Sequence, residues 1–224
     1  MSSSQRARTS TDSRLRDHEA NGSCVDDDES LRTALLRLLK GSGFEATGYR
    51  STGEFLVHHP ADRHGCVLLD IYLPGGPSGL ELNAVLKDQG IHLPVVFITG
   101  CADVASTVAA MKSGAVDFLE KPITPEALLD AVARALARDA TARVERQERA
   151  ELRASFSRLS ERERQVFDLI VSGQLNKQIA AKFGVTERTV KAQRASIMMK
   201  LGANSVAELG GLAERLRTLG QESG

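Results

Sequence analysis

Three aspartates, a threonine and a lysine stand at the ends of apolar runs in the first half of the chain. Asp26 and Asp27 follow Cys24-Val25, Asp70 closes Cys66-Val-Leu-Leu, Thr99 closes Val95-Val-Phe-Ile, and Lys121 follows Val116-Asp-Phe-Leu-Glu. A continuous apolar run of this length reads as a strand buried on both faces, which is the mark of a parallel sheet. The carboxyl ends of such strands converge on one edge, where open α/β sheets bind their ligands. Three carboxylates with one ammonium need a further cation, and hard oxygen donors with room for water suit Mg2+. Phosphoryl transfer asks mainly for positioning and charge neutralisation. Asp70 is therefore the expected phosphoryl acceptor, with Lys121 and Thr99 on the remaining phosphoryl oxygens. On its own strand alone, Asp70 reads more readily as a cap for the Pro74–Gly79 turn. The other strand ends are what favour a site.

The elements needed to position these residues follow from periodicity. A helix carries Leu31, Ala34, Leu35, Leu38 and Leu39 and stops at Gly41 or Gly43. Phe44–Tyr49 is a short strand, and Gly53 opens a second helix. A third helix carries Leu80, Leu82, Val85 and Leu86. Leu93–Thr99 is a strand, a fourth helix runs from about Asp103 to Ser113, and Val116–Leu119 is the last strand. Thr124 then caps a fifth helix with Pro125 at its first position. Five strands alternating with five helices make an α/β domain with a doubly wound five-stranded parallel sheet.

VDDDES, LLDIYLP, FITG and FLEKP, in this order and spacing, resemble the receiver domain of bacterial two-component response regulators over residues 24–138. The resemblance implies a flavodoxin-like sheet of order 2-1-3-4-5 and phosphorylation of Asp70 by a sensor histidine kinase. It makes Asp26 and Asp27 the acidic pair and gives Mg2+ the ligands Asp26, Asp27, Asp70 and the Tyr72 backbone carbonyl. Thr99 and Phe118 become the switch pair and Lys121 the phosphate-binding lysine. The Pro74–Gly79 loop is one residue longer than the family's usual. The first strand is the weak point: a central strand should be a Val/Ile/Leu run, and Ala20-Asn-Gly-Ser-Cys-Val25 is not. A short strand in a marginal domain is expected there, or a chain whose natural N-terminus is different.

Composition divides the chain further. The formal net charge is zero, but residues 24–138 carry −5, residues 139–224 carry +4 and residues 1–23 carry +1. Between 173 and 202 there are six basic residues and one acid. That asymmetry predicts two domains with different partners, one of them nucleic acid. No apolar run approaches the roughly 18 residues that span a bilayer. The polar segment 1–19 lacks a signal-like apolar stretch and is expected to be disordered. Three dispersed cysteines (Cys24, Cys66, Cys101) read as reduced thiols in a cytoplasmic protein. No Cys/His spacing supports zinc, and the adjacent His58 and His59 read as surface residues.

The receiver-like domain is expected over 20–138, a helical linker over 139–156 and an all-α domain over 157–218. Ser160 and Glu163 form a capping box ahead of Val166, Leu169 and Ile170. Asn176–Phe183 is a short helix stopped by Gly184, and Thr186 caps a longer helix over Glu187–Leu201, so the segment reads as a helix-turn-helix. On the longer helix Val190, Ile197 and Leu201 lie within about 40° of one another and face the core. Arg188, Lys191, Ala192 and Ala195 point away. Lys191 can reach a guanine or a phosphate, and the alanines can touch a thymine methyl. Lys177, Thr189 and Arg194 suit phosphates. A plain amphipathic hairpin with a solvated basic face is the alternative on pattern alone.

LSERERQVFDLIVSGQLNKQIAAKFGVTERTVKAQRASIMMKLGANSVAEL closely resembles the LuxR-type helix-turn-helix domain of FixJ-class response regulators, over residues 155–214. Gln193 stands where that family more often has histidine. The resemblance implies binding of Lys191, Ala192 and Ala195 to bases of double-stranded DNA, and a last helix (Val206, Leu209, Leu212) that dimerises. The expected protein is a transcription factor and not an enzyme. It forms a homodimer when phosphorylated, has RNA polymerase as a further possible partner, and makes no membrane contact. Three other readings are weighed against it. An aspartyl-phosphate phosphatase of the haloacid dehalogenase type needs a second acid where Tyr72 stands. A small-ligand receptor needs an aromatic pocket, and the chain has seven Phe, two Tyr and no Trp. A degenerate receiver would control DNA binding without phosphorylation.

Overall fold

The computed structural model describes residues 21–58, 64–100 and 104–221. The expected disordered tail, His59, Cys101 and the Asp103 start of the fourth helix lie outside these residues. The chain divides into two compact units between Ala142 and Arg143.

In the first unit the elements run β1 (Asn21–Val25), α1 (Glu29–Gly41), β2 (Glu45–Tyr49), α2 (Thr52–His58), β3 (Cys66–Asp70), α3 (Gly79–Asp88), β4 (Val95–Thr99), α4 (Val104–Lys112), β5 (Asp117–Glu120) and α5 (Pro125–Ser157). The sheet order is β2-β1-β3-β4-β5, and every pairing is parallel. Both faces are covered, which is why β3 and β4 are buried at every residue. Leu68, Val96 and Ile98 pack with Leu39, Leu128 and Val132 on one side. Val67, Leu69 and Phe97 pack with Phe55, Leu82 and Leu86 on the other.

The expected shortness of β1 is corrected. Asn21–Val25 forms a full five-residue strand paired along its length with β2, and Gly22–Val25 pair with β3. Cys24 and Val25 are fully buried. Its neighbours provide the apolar surface that Gly22 lacks: Leu39 Cδ1 lies 3.5 Å and Ala46 Cβ 3.9 Å from where a Cβ on Gly22 would sit.

The Pro74–Gly79 loop returns directly over the end of β3. The Gly79 N–H donates to the Ile71 carbonyl at 3.0 Å, and Thr52 Oγ1 donates to the Pro77 carbonyl at 3.3 Å. A Cβ on Gly79 would lie 2.2 Å from the Asp70 carbonyl oxygen, so the first turn of α3 can seat against the acceptor strand only as glycine. Ser78 then caps α3 in a capping box with Glu81.

The second unit holds the rest of α5 together with α6 (Glu161–Val171), α7 (Asn176–Phe183), α8 (Glu187–Leu201) and α9 (Val206–Gln221). The linker expected over 139–156 is helical, and part of it is buried. Leu152 is buried, Phe156 meets Phe167 edge-on at 5.4 Å, and Arg153 Nη2 donates to the Leu219 carbonyl at 2.8 Å. Leu209 is fully buried in the unit's own core and Leu212 packs against it, leaving Val206 partly exposed. The apolar spacing read as a dimerisation surface is thus largely the internal face of α9.

Gly79→Ala is expected to destabilise the first unit by about 1–3 kcal/mol, the usual cost of overpacking against backbone. Denaturant unfolding followed at the first unit checks this, and an unchanged midpoint would contradict the close approach to Asp70.

Candidate functional site

The strand ends bring the predicted residues to one edge. Asp26 follows β1 and is completely buried; Asp70 ends β3 at 5% exposure; Asp27 is exposed. One carboxylate oxygen from each of the three lies within 4.8 Å of the other two. Lys121 Nζ donates to Asp26 Oδ2 at 2.9 Å and to Asp70 Oδ2 at 2.6 Å. The Asp28 N–H donates to Asp26 Oδ1 at 2.9 Å, and the Tyr72 N–H to Asp70 Oδ1 at 3.0 Å. Thr99 is fully buried at the end of β4, and its carbonyl accepts the Lys121 N–H at 2.8 Å, which fixes where the lysine leaves the sheet. The Lys121–Pro122 peptide is cis. Phe118 is half-buried against the core that includes Ala110 of α4.

Sequence reading missed Arg32, whose Nη1 donates to the Asp26 carbonyl at 2.6 Å. Helical phase alone does not mark it. It also missed the bond between Tyr72 Oη and Ser106 Oγ, at 2.9 Å.

The charges at this edge hold one another in place. Burial pushes the Asp26 carboxyl above its ordinary range, against the opposing pull of its hydrogen bonds from Lys121 and the Asp28 amide. For Lys121, burial opposes the charge, but hydrogen bonds to Asp70 and Asp26 outweigh it and hold the ammonium above the usual lysine range. Burial likewise pushes the Cys24 thiol up to about 12, so it is no nucleophile at neutral pH. The edge offers one nearly buried carboxylate, Asp70, whose two oxygens are already oriented by a lysine and a backbone amide. The all-oxygen donor set of Asp26, Asp27 and Asp70 fits a hard divalent cation.

In the second unit Thr186 Oγ1 accepts the Thr189 N–H at 3.2 Å and so caps α8, after a turn at Gly184 with φ +63°. Val190, Ile197 and Leu201 are buried, as their spacing predicts. Arg188, Lys191, Ala192 and Ala195 are exposed together, Lys177 and Thr189 are exposed, and Arg194 is half-buried. The Thr189 hydroxyl shares a 2.9 Å bond with the Thr186 hydroxyl. Gln193, the departure from the usual histidine, has its Oε1 buried and without a hydrogen-bond partner among the described residues. The α8 helix is held from behind by Glu163, whose carboxylate accepts from Ser196 Oγ at 2.7 Å and Lys200 Nζ at 2.7 Å as well as from the Ser160 N–H at 2.8 Å. The capping box was legible in sequence, but its link to α8 was not.

Among known proteins, residues 23–133 match the family described as response regulator receiver domain, and residues 157–213 match the bacterial regulatory proteins of the luxR family. Nodulation protein W of Bradyrhizobium diazoefficiens is 43% identical over 192 residues, covering 86% of this chain and 84% of that protein. The transcriptional regulatory protein FixJ of Azorhizobium caulinodans is 42% identical over 186 residues, covering 83% and 87%. The solved structure of the response regulator StyR is 42% identical with a TM-score of 0.81, covering 88% of this chain and 100% of that one. Among the described residues no helix is long and apolar enough to cross a membrane.

Hydrogen bonds from Lys200, Ser160 and Ser196 hold Glu163 down from 4.5 to about 2. Its contribution to stability is therefore complete above about 4.5, the unfolded value, and is lost as pH falls through 2. Glu163→Gln is expected to lower the stability of the second unit at neutral pH, by a difference that shrinks steadily below pH 4.5. Denaturant titrations of both proteins across that range check it, and a pH-independent difference would contradict the assignment.

Proposed function

We propose a mechanism for this chain from one premise: it belongs to the two-component response regulators that join a receiver domain to a LuxR-type DNA-binding domain, and it is a transcription factor of that family. Its switch is a phosphoryl group on Asp70. The observation that carries this reading is the Lys121 ammonium spanning Asp26 and Asp70 at the sheet edge.

An Asp70 carboxylate oxygen attacks the phosphorus of a phosphohistidine on a sensor histidine kinase. The O–P bond forms as the P–N bond breaks, and the departing imidazole nitrogen takes up a proton. Lys121 turns from the carboxylate to a phosphoryl oxygen, and the Thr99 hydroxyl serves another. Asp26, Asp27, Asp70 and the Tyr72 backbone carbonyl would hold Mg2+, which when bound neutralises charge on the transferring oxygens. Asp26 stays oriented throughout by the Asp28 amide, and Arg32 steadies its carbonyl.

Engagement of Thr99 then draws Phe118 inward and shifts the population towards a form that dimerises through α4 and β5. Val104, Val108 and Met111, exposed at helical spacing on α4, support that face. Dimerisation links two recognition helices and raises their affinity for paired half-sites. Lys191, Ala192 and Ala195 read base edges, while Lys177, Thr189 and Arg194 take phosphates. The working setting is the cytoplasm, with RNA polymerase as the partner of the DNA-bound dimer.

A small-molecule phosphodonor with Mg2+ is expected to add one phosphoryl group to the wild type and none to Asp70→Asn, as read by intact-protein mass spectrometry. An unmodified wild type would overturn the switch. Lys191→Ala is expected to lose about 1–3 kcal/mol of discrimination between its preferred and scrambled DNA. An unchanged footprint would refute the recognition-helix assignment.

A further inference from the structure

Tyr72 reaches in two directions. Its backbone N–H donates to Asp70 Oδ1 at 3.0 Å, and its phenol oxygen lies 2.9 Å from Ser106 Oγ on the first turn of α4. One residue therefore touches both the acceptor carboxylate and the helix that exposes Val104, Val108 and Met111.

The opposite end of α4 is fastened differently. The Ser113 carbonyl and hydroxyl accept from Asn83 Nδ2 at 3.2 and 2.9 Å, Asn83 is buried, and Lys87 Nζ also donates to the Ser113 carbonyl. So α4 is anchored to α3 just past its C-terminus by a buried amide and a lysine. Its N-terminal turn meets the β3 loop through two hydroxyls, one of them on a side chain that is 52% exposed.

We propose that the Tyr72–Ser106 bond is a catch that holds α4 in its resting position and opens when Asp70 changes its partners. This rests on the phosphoryl switch proposed above. Phosphorylation of one Asp70 oxygen, which makes an acyl phosphate, alters the carboxylate that accepts from the Tyr72 N–H and so shifts the backbone of that residue. The phenol moves with that backbone and leaves Ser106. A bond between solvent-accessible hydroxyls shifts an equilibrium by roughly two- to ten-fold. That is small enough to be released by a local change, whereas a buried charged contact would hold α4 whatever the state of Asp70. The Thr99–Phe118 pair acts from the sheet side, and the catch acts from the loop side.

The test is hydrogen exchange at the α4 amides in the full chain, before and after acetyl phosphate with Mg2+. It is run on the wild type, Tyr72→Phe, Ser106→Ala and the double variant. In the resting state each single variant is expected to exchange about two- to ten-fold faster than the wild type. The double variant should exchange no faster than either single one, because both lose the same bond. Ser106→Ala should take up the phosphoryl group as fully as the wild type, and phosphorylation should then add little to its α4 exchange. Three outcomes overturn the catch: unchanged resting exchange in Ser106→Ala, an additive double variant, or a phosphorylation response in Ser106→Ala as large as the wild type's. A wild type that takes up no phosphoryl group removes the switch itself, and that outcome is distinguished by mass spectrometry of the same samples.

Discussion

A fully buried carboxylate beside a second one is tolerable only if a cation stands between them, and Lys121 is that cation. Leaving one partner of a buried pair uncompensated costs roughly 3–5 kcal/mol, a large share of a small domain's stability. The lysine comes from the edge strand β5 and its partners from the ends of β1 and β3, so the contact exists only when the sheet has assembled in the order β2-β1-β3-β4-β5. The buried Thr99 lies on the strand between. The same contact leaves the edge adjustable: Lys121 already donates to two oxygens, and a phosphoryl oxygen would compete with them on equal chemical terms.

The second unit uses a comparable arrangement for a different end. Glu163 satisfies the N-terminus of α6 and at the same time accepts from Ser196 and Lys200 on α8. The exposed face of α8, with Lys191, Ala192 and Ala195, is thus backed by a charged contact as well as by Val190 and Ile197. The helix α5 gives Leu128 and Val132 to the core of the first unit, and its Leu152 is buried in the second. Its two ends therefore answer to different packing environments along one continuous helix.

Much of the site was legible because it lies at strand ends. Apolar runs fix where β3 and β4 stop, and the polar residue that follows must then lie at the carboxyl edge. Asp70, Thr99 and Lys121 were readable for that reason, as were the caps Ser160 and Thr186, whose chemistry is local. The full pairing of β1 was not readable, because Leu39 and Ala46, from other elements, fill the space beside Gly22. Periodicity also could not say which partner an apolar face would find. Leu209 and Leu212 suggested a second copy of the chain and instead meet their own core. The contacts of Ser106 with Tyr72 and of Lys200 with Glu163 join residues far apart in sequence and leave no local pattern.

The central claim is that the chemical state of Asp70 governs the affinity of α8 for DNA. Its most direct measurement is the binding of the full-length chain to DNA fragments selected from a genomic pool, titrated against the fraction of Asp70 carrying a phosphoryl group. The account predicts that affinity rises with that fraction, with a steepness that reflects two linked monomers, and that the salt dependence shows several phosphate contacts. Affinity that stays the same from unmodified to fully phosphorylated protein would contradict it.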